Sequence, residues 1–208
     1  MDKTDNTTNP DPSTEEKIKE AARIVFTSKG YAATRVRDIA AQANINLALV
    51  NYYFRSKEKL FDLIMAETMK KLFDKITPVI YNESSTLNEK ISGIVDNYLE
   101  LLLENPELPL FVVSEMRSGS DMLPKMTGNG KLFLESHFAK QLFQLQMEGK
   151  IKFHPINIMM NILGLVVFPF IGRPLLLKSG MLKEEEFRKI IEERKKLIPL
   201  WIVSIINL

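Results

Sequence analysis

Residues 34–59, TRVRDIAAQANINLALVNYYFRSKEK, decide how this chain is read. Two short apolar-periodic runs flank Ala43-Asn44-Ile45-Asn46, and the second run ends among basic residues. Asparagine tolerates the left-handed backbone of a sharp turn and also caps helices, so Asn44 is expected in the turn and Asn46 at the next helix start. Thr34 is expected to cap the first helix, with Val36, Ile39, Ala40 and Ala43 inward and Arg35, Arg37, Asp38 and Gln42 outside. The second helix, residues 47–54, buries Val50 and Phe54 and leaves Leu47, Ala48, Asn51, Tyr52 and Tyr53 on or beside its free face. That is the length and order of a helix-turn-helix.

Charge gathers at the same place. Between Lys29 and Lys59 six basic residues stand against two acidic ones, a local surplus of four where the whole chain has a net charge of +2. Such clustering, and not global basicity, gives phosphate affinity through release of condensed counterions. The amide of Asn51 can bond an adenine edge, Leu47 or Ala48 can meet a thymine methyl, and the tyrosines suit phosphates and sugars.

Upstream, Ser13-Thr14-Glu15-Glu16 forms a capping box before Ile18, Ala21, Ala22, Val25 and Phe26, one stripe of a helix over residues 13–29. Gly30 is expected to end it as a left-handed cap. Residues 1–12 have low hydrophobicity and read as a disordered arm, without the apolar run of a signal peptide. Downstream, Ser56 caps a long fourth helix that continues to Pro78, with no Gly or Pro linker between it and the head. Rigid joining of head and body is therefore expected. Further helices are expected up to Asn105, over 107–117, 131–148, 157–177 with a kink at Pro169, and 183–207. Residues 118–130, with three glycines and Pro124, read as a mobile loop with one helical turn. No strand or repeat is evident.

Several functions are set aside by composition. The chain has no cysteine and two histidines, His137 and His154, which lack metal-ligand spacing, so neither a metal nor another cofactor is expected. Gly128-Asn129-Gly130-Lys131 fails as a phosphate loop, because Lys125 and Leu132 occupy the required glycine and Ser/Thr positions. No Ser, His and acid grouping recommends an enzyme. Residues 156–177 are interrupted by Asn157, Asn161, Pro169, Gly172, Arg173 and Pro174, and residues 197–208 are too short for a span of roughly 20 residues. Buried interface helices and a cytoplasmic protein without a membrane are the expectation.

Thr34-Arg35-Val36-Arg37-Asp38-Ile39-Ala40, Ala43-Asn44-Ile45-Asn46, Tyr52-Tyr53-Phe54 and Ser56-Lys57-Glu58-Lys59-Leu60 together resemble the head of the tetracycline-repressor (TetR) family of bacterial transcription regulators, over residues 13–64. The resemblance implies an all-α protein: a three-helix helix-turn-helix head, residues 13–59, joined by a long fourth helix to a ligand-binding and dimerisation body, residues 60–208. It also implies a homodimer on a palindromic operator of double-stranded DNA, released by a small-molecule effector. Carried over by position, Val36, Arg37, Leu47, Ala48, Asn51, Tyr52, Tyr53 and Lys57 face DNA, and Arg35 and Asn46 complete the set. Asn51 stands where the family commonly has tyrosine, and Leu47 and Ala48 replace more usual polar and small residues, which bears on base preference.

For the body, the resemblance and residue chemistry point to Tyr98, Phe111, Met116, Met122, Met126, Phe133, His137 and Phe138 around an apolar ligand site. Pairing is expected through the last two helices, by Ile162, Val166, Phe170, Leu197, Trp201 and Ile205. Arg194 interrupts the last stripe, either to pair with an acid or to reach solvent. The competing class is a helical DNA-binding adaptor or nucleoid factor without an inducer. A solid body core favours that class, and an apolar cavity favours the effector-responsive one.

Overall fold

The computed structural model describes residues 12–119 and 121–206; of the expected arm, residues 1–12, only Pro12 lies among them. The described residues form helices α1 to α11 and no strand. The chain divides into two compact units, Met1–Glu67 and Thr68–Leu208, so the division falls within the fourth helix and not at residue 59.

The first unit holds α1 (Pro12–Ala33), α2 (Val36–Ala43), α3 (Leu47–Phe54) and the start of α4 (Lys57–Tyr81). Its core is the expected stripe Ile18, Ala21, Ala22, Val25 and Phe26, closed by Ile39, Val50, Phe54, Leu60 and Ile64. Phe26, Tyr31 and Phe61 form an aromatic cluster, with centroids 4.6 Å apart for Tyr31 and Phe61 and 5.0 Å for Phe26 and Phe61. Lys19, only 6% exposed, reaches across to Glu67, its Nζ 2.9 Å from Oε1. Glu67 also pairs with Arg23, so one carboxylate ties two turns of α1 to α4.

Two details at the end of α1 differ from expectation. Gly30 does break the helix, but at φ 75°, ψ 161°, a region open essentially to glycine alone and not the left-handed helical one. Thr34 does not cap α2. It is buried, and its hydroxyl donates 2.7 Å to the Gly30 carbonyl, steadying the glycine break. Arg35 occupies the cap position, with its backbone N–H donating 3.0 Å to Asp38 Oδ2. Asn44, at φ 54°, ψ 47°, makes the left-handed turn, and Asn46 caps α3 by accepting from the Ala48 N–H at 2.9 Å.

The second unit comprises the remainder of α4 and α5 (Leu87–Glu104), α6 (Leu108–Ser118), α7 (Met122–Met126), α8 (Lys131–Leu134), α9 (His137–Met147), α10 (Ile156–Lys178) and α11 (Glu184–Ile206). Central α5 packs against α9, α10 and α11 through Ile91, Val95, Leu99 and Leu102, all fully buried. Thr86 and Glu89 form a reciprocal cap at its start, with the Thr86 N–H donating 2.7 Å to Glu89 Oε2. Pro78 does not end α4, which continues to Tyr81. The single helix expected over 131–148 is two, because Ser136 turns its hydroxyl to the Phe133 carbonyl at 2.6 Å and accepts from the Ala139 N–H, starting a new helix.

Helix α10 is long and apolar enough to cross a membrane by length and composition. It packs nevertheless on α5, α6 and α11, and buries Ile158, Ile162, Val166 and Phe170. This corrects the expected dimer set. Ile162, Val166 and Phe170 are 2%, 0% and 4% exposed within a single chain, and so are core residues. A helix apolar on all sides gives no periodic signal for which stripe turns inward. The outward stripe is Met160, Gly164, Phe168, Gly172 and Leu175, with Phe168 and Leu175 each 71% exposed. On α11, Leu197 and Trp201 are exposed, whereas Ile205 is half-buried.

Arg194 neither pairs with an acid among the described residues nor extends into solvent. Its Nη2 donates 2.7 Å to the carbonyl of Leu165, and its guanidinium lies 5.3 Å from the Trp201 ring centroid. Leu165 is four residues before Pro169, whose ring nitrogen has no proton to give that carbonyl. Arg194 thus replaces from α11 the hydrogen bond that Pro169 removes from α10. Arg194→Leu is expected to lower stability by about 2 kcal/mol in urea unfolding. With Pro169→Ala restoring the internal donor, the same substitution is expected to cost less than half as much. Equal losses in both backgrounds would refute the pairing.

Candidate functional site

In the first unit, α3 presents Leu47, Ala48, Leu49, Asn51 and Tyr52 to solvent, with Tyr52 60% exposed. Tyr53 is half-buried, and its ring meets Tyr52 edge-on at 5.6 Å. Asn46 spends its side-chain oxygen on the helix start. Arg35 and Arg37 are exposed and have no ion-pair partner among the described residues, while Val36 is half-buried beside them. Leu49 is the exposed residue that sequence reasoning passed over, because a leucine beside Val50 looks like core. A surface of this kind offers two exposed cations for phosphates, one amide, and several apolar groups of differing reach.

The connection from α3 to α4 is tight. The Ser56 N–H donates 2.7 Å to the Phe54 carbonyl across Arg55, which sits at φ 61°, ψ −38°. This is a γ-turn of the rare, strained kind for a residue with a side chain. Its effect is to start α4 immediately, capped by Ser56 Oγ accepting from the Lys59 N–H at 3.1 Å, and to leave the Arg55 side chain in solvent.

Lys57 is placed differently from its neighbours. Its Nζ donates to the carbonyls of Tyr31 at 2.8 Å and Thr34 at 3.1 Å, and stands 4.1 Å from the Tyr31 ring centroid. Those carbonyls belong to the turn that follows Gly30, so Lys57 locks the start of α2 to the start of α4. Asp38 works on the other side of that turn. The backbone N–H of Arg35, and then the ammonium of Lys29 at 3.5 Å, hold its carboxyl below the usual range.

The second unit encloses a cavity of about 340 Å³. Met69, Leu72, Phe73 and Ile76 of α4 line one side, and Ile94 and Tyr98 of α5 another. Leu123 of α7 with Leu132 and Phe133 of α8 cover it, and Met159, Ile162 and Leu163 of α10 complete it. Tyr98, Phe133 and Phe138 of the expected ligand set are there. Phe111 is buried elsewhere, Met116 is 71% exposed, and Met122, Met126 and His137 are half-buried outside the lining. The contribution of α4 was missed because cavity-lining and core residues share one apolar stripe. Burial pushes the Tyr98 phenol up to about 12. Among the described residues no group of His, Asp and Glu gathers to hold a metal.

Residues 18–64 match the family model described as bacterial regulatory proteins, tetR family. The chain is 28% identical over 137 residues to the "Probable HTH-type transcriptional regulator YttP" of Bacillus subtilis, a match covering 65% of this chain and 64% of that protein. It therefore spans just under two thirds of that relative. It is 26% identical over 140 residues to the biofilm operon icaADBC HTH-type negative transcriptional regulator IcaR of Staphylococcus aureus, covering 66% and 72% of the two chains. The transcriptional regulator FadR from Bacillus subtilis, solved in complex with stearoyl-CoA, superposes with a TM-score of 0.62 at 20% identity, over 92% of this chain and 98% of that one. A TetR/AcrR family regulator from Thermobifida fusca gives 0.60 at 16% identity, over 91% and 97%. At these identities the structural likenesses concern the fold.

Arg55→Gly tests the turn geometry. Relief of the strained turn is expected to raise stability by about 1 kcal/mol in thermal or urea unfolding. Lys57→Ala is expected to lower it by about 2 kcal/mol, since two carbonyls lose a charged donor. A stable Lys57→Ala protein would show that the α1–α2 turn holds without it.

Proposed function

We propose that this chain, whose head at residues 18–64 matches the tetR family of bacterial regulatory proteins, is a transcriptional repressor that binds a palindromic operator as a homodimer and is released by a small, largely apolar molecule. The observation that carries the DNA reading is the exposed α3 face flanked by uncommitted Arg35 and Arg37. Arg35, Arg37 and the tyrosines take phosphates, and Leu47, Ala48, Leu49 and Asn51 meet base edges in the major groove. Lys57 acts chiefly by holding the turn that aims Arg35. Repression accords with IcaR, which is named a negative regulator. The protein works in the cytoplasm, where its operator is.

One head reads one half-site, so useful specificity requires two copies related by symmetry. The pairing surface is the outward stripe of α10 with Leu197, Leu200 and Trp201 of α11. On α10 large residues alternate with Gly164 and Gly172, and a Cβ added at either glycine would meet nothing within 4 Å. Open glycines between large apolar residues let another helix approach closely. A partner there also covers the apolar surface that makes α10 resemble a membrane span.

The cavity favours an effector-responsive regulator over an adaptor with a solid core. The stearoyl-CoA in the FadR structure is an apolar-chained ligand and accords with an apolar site here. Helix α4 lines the cavity from Met69 onward and begins, twelve residues earlier, at Lys57 in the head. Ligand-dependent change in α4 alters the separation of the two heads, and half-sites about 34 to 36 Å apart penalise a mismatch. The ligand acts only through its differential affinity for the two spacings.

Titration of the purified protein with its own upstream DNA across a salt series tests this reading. A palindrome preference and a steep loss of affinity with salt are expected, and absence of both would reject operator binding. Asn51→Ala is expected to relax preference at one base pair, by about 1–3 kcal/mol, while Arg37→Ala weakens all sequences alike. Phe168→Glu is expected to give a folded monomer in sedimentation with weakened operator binding. An intact dimer would move the interface elsewhere.

A further inference from the structure

We propose that the cavity of the second unit takes an uncharged molecule with a hydrocarbon body and one oxygen acceptor, and that the Tyr98 hydroxyl is the hydrogen-bond donor that fixes it. The inference rests on the reading of this cavity as the effector site and specifies what that site selects.

The first observation is the absence of charge. The lining contains no Lys, Arg, His, Asp or Glu, and its polar side chains are Tyr98 and Thr127 alone. An ionised carboxylate or ammonium entering such a space loses its water and gains no partner, which is the costliest transfer a ligand group can make. The second observation is a donor left over. Tyr98 is 7% exposed, lines the cavity, and makes no hydrogen bond to the protein among the described residues. Thr127 is spent, donating to the carbonyls of Leu123 at 3.0 Å and Pro124 at 3.2 Å. The backbone N–H of Gly130 is spent too, on the Thr127 carbonyl at 3.1 Å. With its phenol pushed up to about 12 by burial, Tyr98 keeps its proton throughout the physiological range and acts as a donor.

These facts together define a ligand by subtraction. Its body matches an apolar wall, it carries no charge, and it supplies one lone pair where the phenol points. A ketone, ester, ether or alcohol on an aliphatic or aromatic body has that chemistry. Entry is through the side covered by α7 and α8, neither of which contains a buried residue, so displacing them exposes little core.

The test is isothermal titration calorimetry of the full chain with three probes of equal body, octan-2-one, octanoate and octyltrimethylammonium. Octan-2-one is expected to bind, and the two ions to bind at least about a hundredfold more weakly. Tyr98→Phe is expected to weaken octan-2-one by about threefold to tenfold, the worth of one hydrogen bond. The unliganded Tyr98→Phe protein is expected to melt no lower than the parent, because the lost hydroxyl had no protein partner. Either ion binding as tightly as the ketone would overturn the ligand class and leave the cavity as the effector site. Unchanged ketone affinity in Tyr98→Phe, or a melting temperature several degrees lower, would overturn the role of the hydroxyl. Failure of all three probes to bind would remove the effector site itself, and this class with it.

Discussion

A helix that is apolar on every side must find more than one partner, and the second unit is built around that constraint. One stripe of α10, Ile158 to Phe170, is absorbed by the core of its own chain. A second group, Met159 and Leu163, faces the cavity on either side of Ile162, which the core stripe shares with it. The third, Met160 to Leu175, has only solvent within one chain. The two internal prolines sharpen the problem, since each removes an N–H and leaves a carbonyl without its helical partner. Arg194 meets one of these needs from α11 and so fixes the facing of the two helices. Placing a guanidinium in an apolar seam is tolerable because the carbonyl it serves would otherwise be unpaired.

The head obeys a different constraint, that of holding an eight-residue helix still. Helix α3 is too short to be stable alone, since isolated helices below about 12 to 15 residues are marginal in water. Its rigidity comes from both flanks. Asn44 and Asn46 fix its entry, and the γ-turn at Arg55 fixes its exit at the expense of local strain. Lys57 then ties the following helix to the carbonyls beside Thr34. Only Val50 and Phe54 are buried, so most of the surface of α3 is left for use.

How much of this was legible in the sequence depends on whether the signal was local. Asn44, Asn46 and Ser56 act within a few residues of themselves, and their roles could be read directly. The Val50 and Phe54 pair was legible from its i, i+4 spacing opposite Asn51 and Tyr52, although Leu49 beside it was not. The α10 stripe was not, because Ile162 and Phe168 are equally apolar and nothing in the spacing says which turns inward. Lys57 is a lysine in a basic cluster by sequence and a hydrogen-bond donor to two carbonyls in three dimensions, 23 and 26 residues away. The cavity was hidden for a related reason. A missing neighbour leaves no mark on a periodic pattern, so Met69 and Leu72 read as ordinary core.

The proposed release mechanism has to satisfy an energetic condition that bears on why a dimer would be used. Moving a two-state equilibrium from 1:99 to 99:1 requires a differential binding free energy of about 5.5 kcal/mol. One small apolar ligand with a single hydrogen bond, such as Tyr98 would provide, is a weak source of so large a difference. Two identical cavities acting on one pair of heads share the requirement, leaving about 2.7 kcal/mol to each, which is half of the same figure. That falls within the usual 1–3 kcal/mol of coupling between sites. Symmetry on the DNA side and symmetry on the ligand side then serve one end, since the pairing that lets two weak half-sites add to a specific operator also lets two modest ligands add to a decisive release.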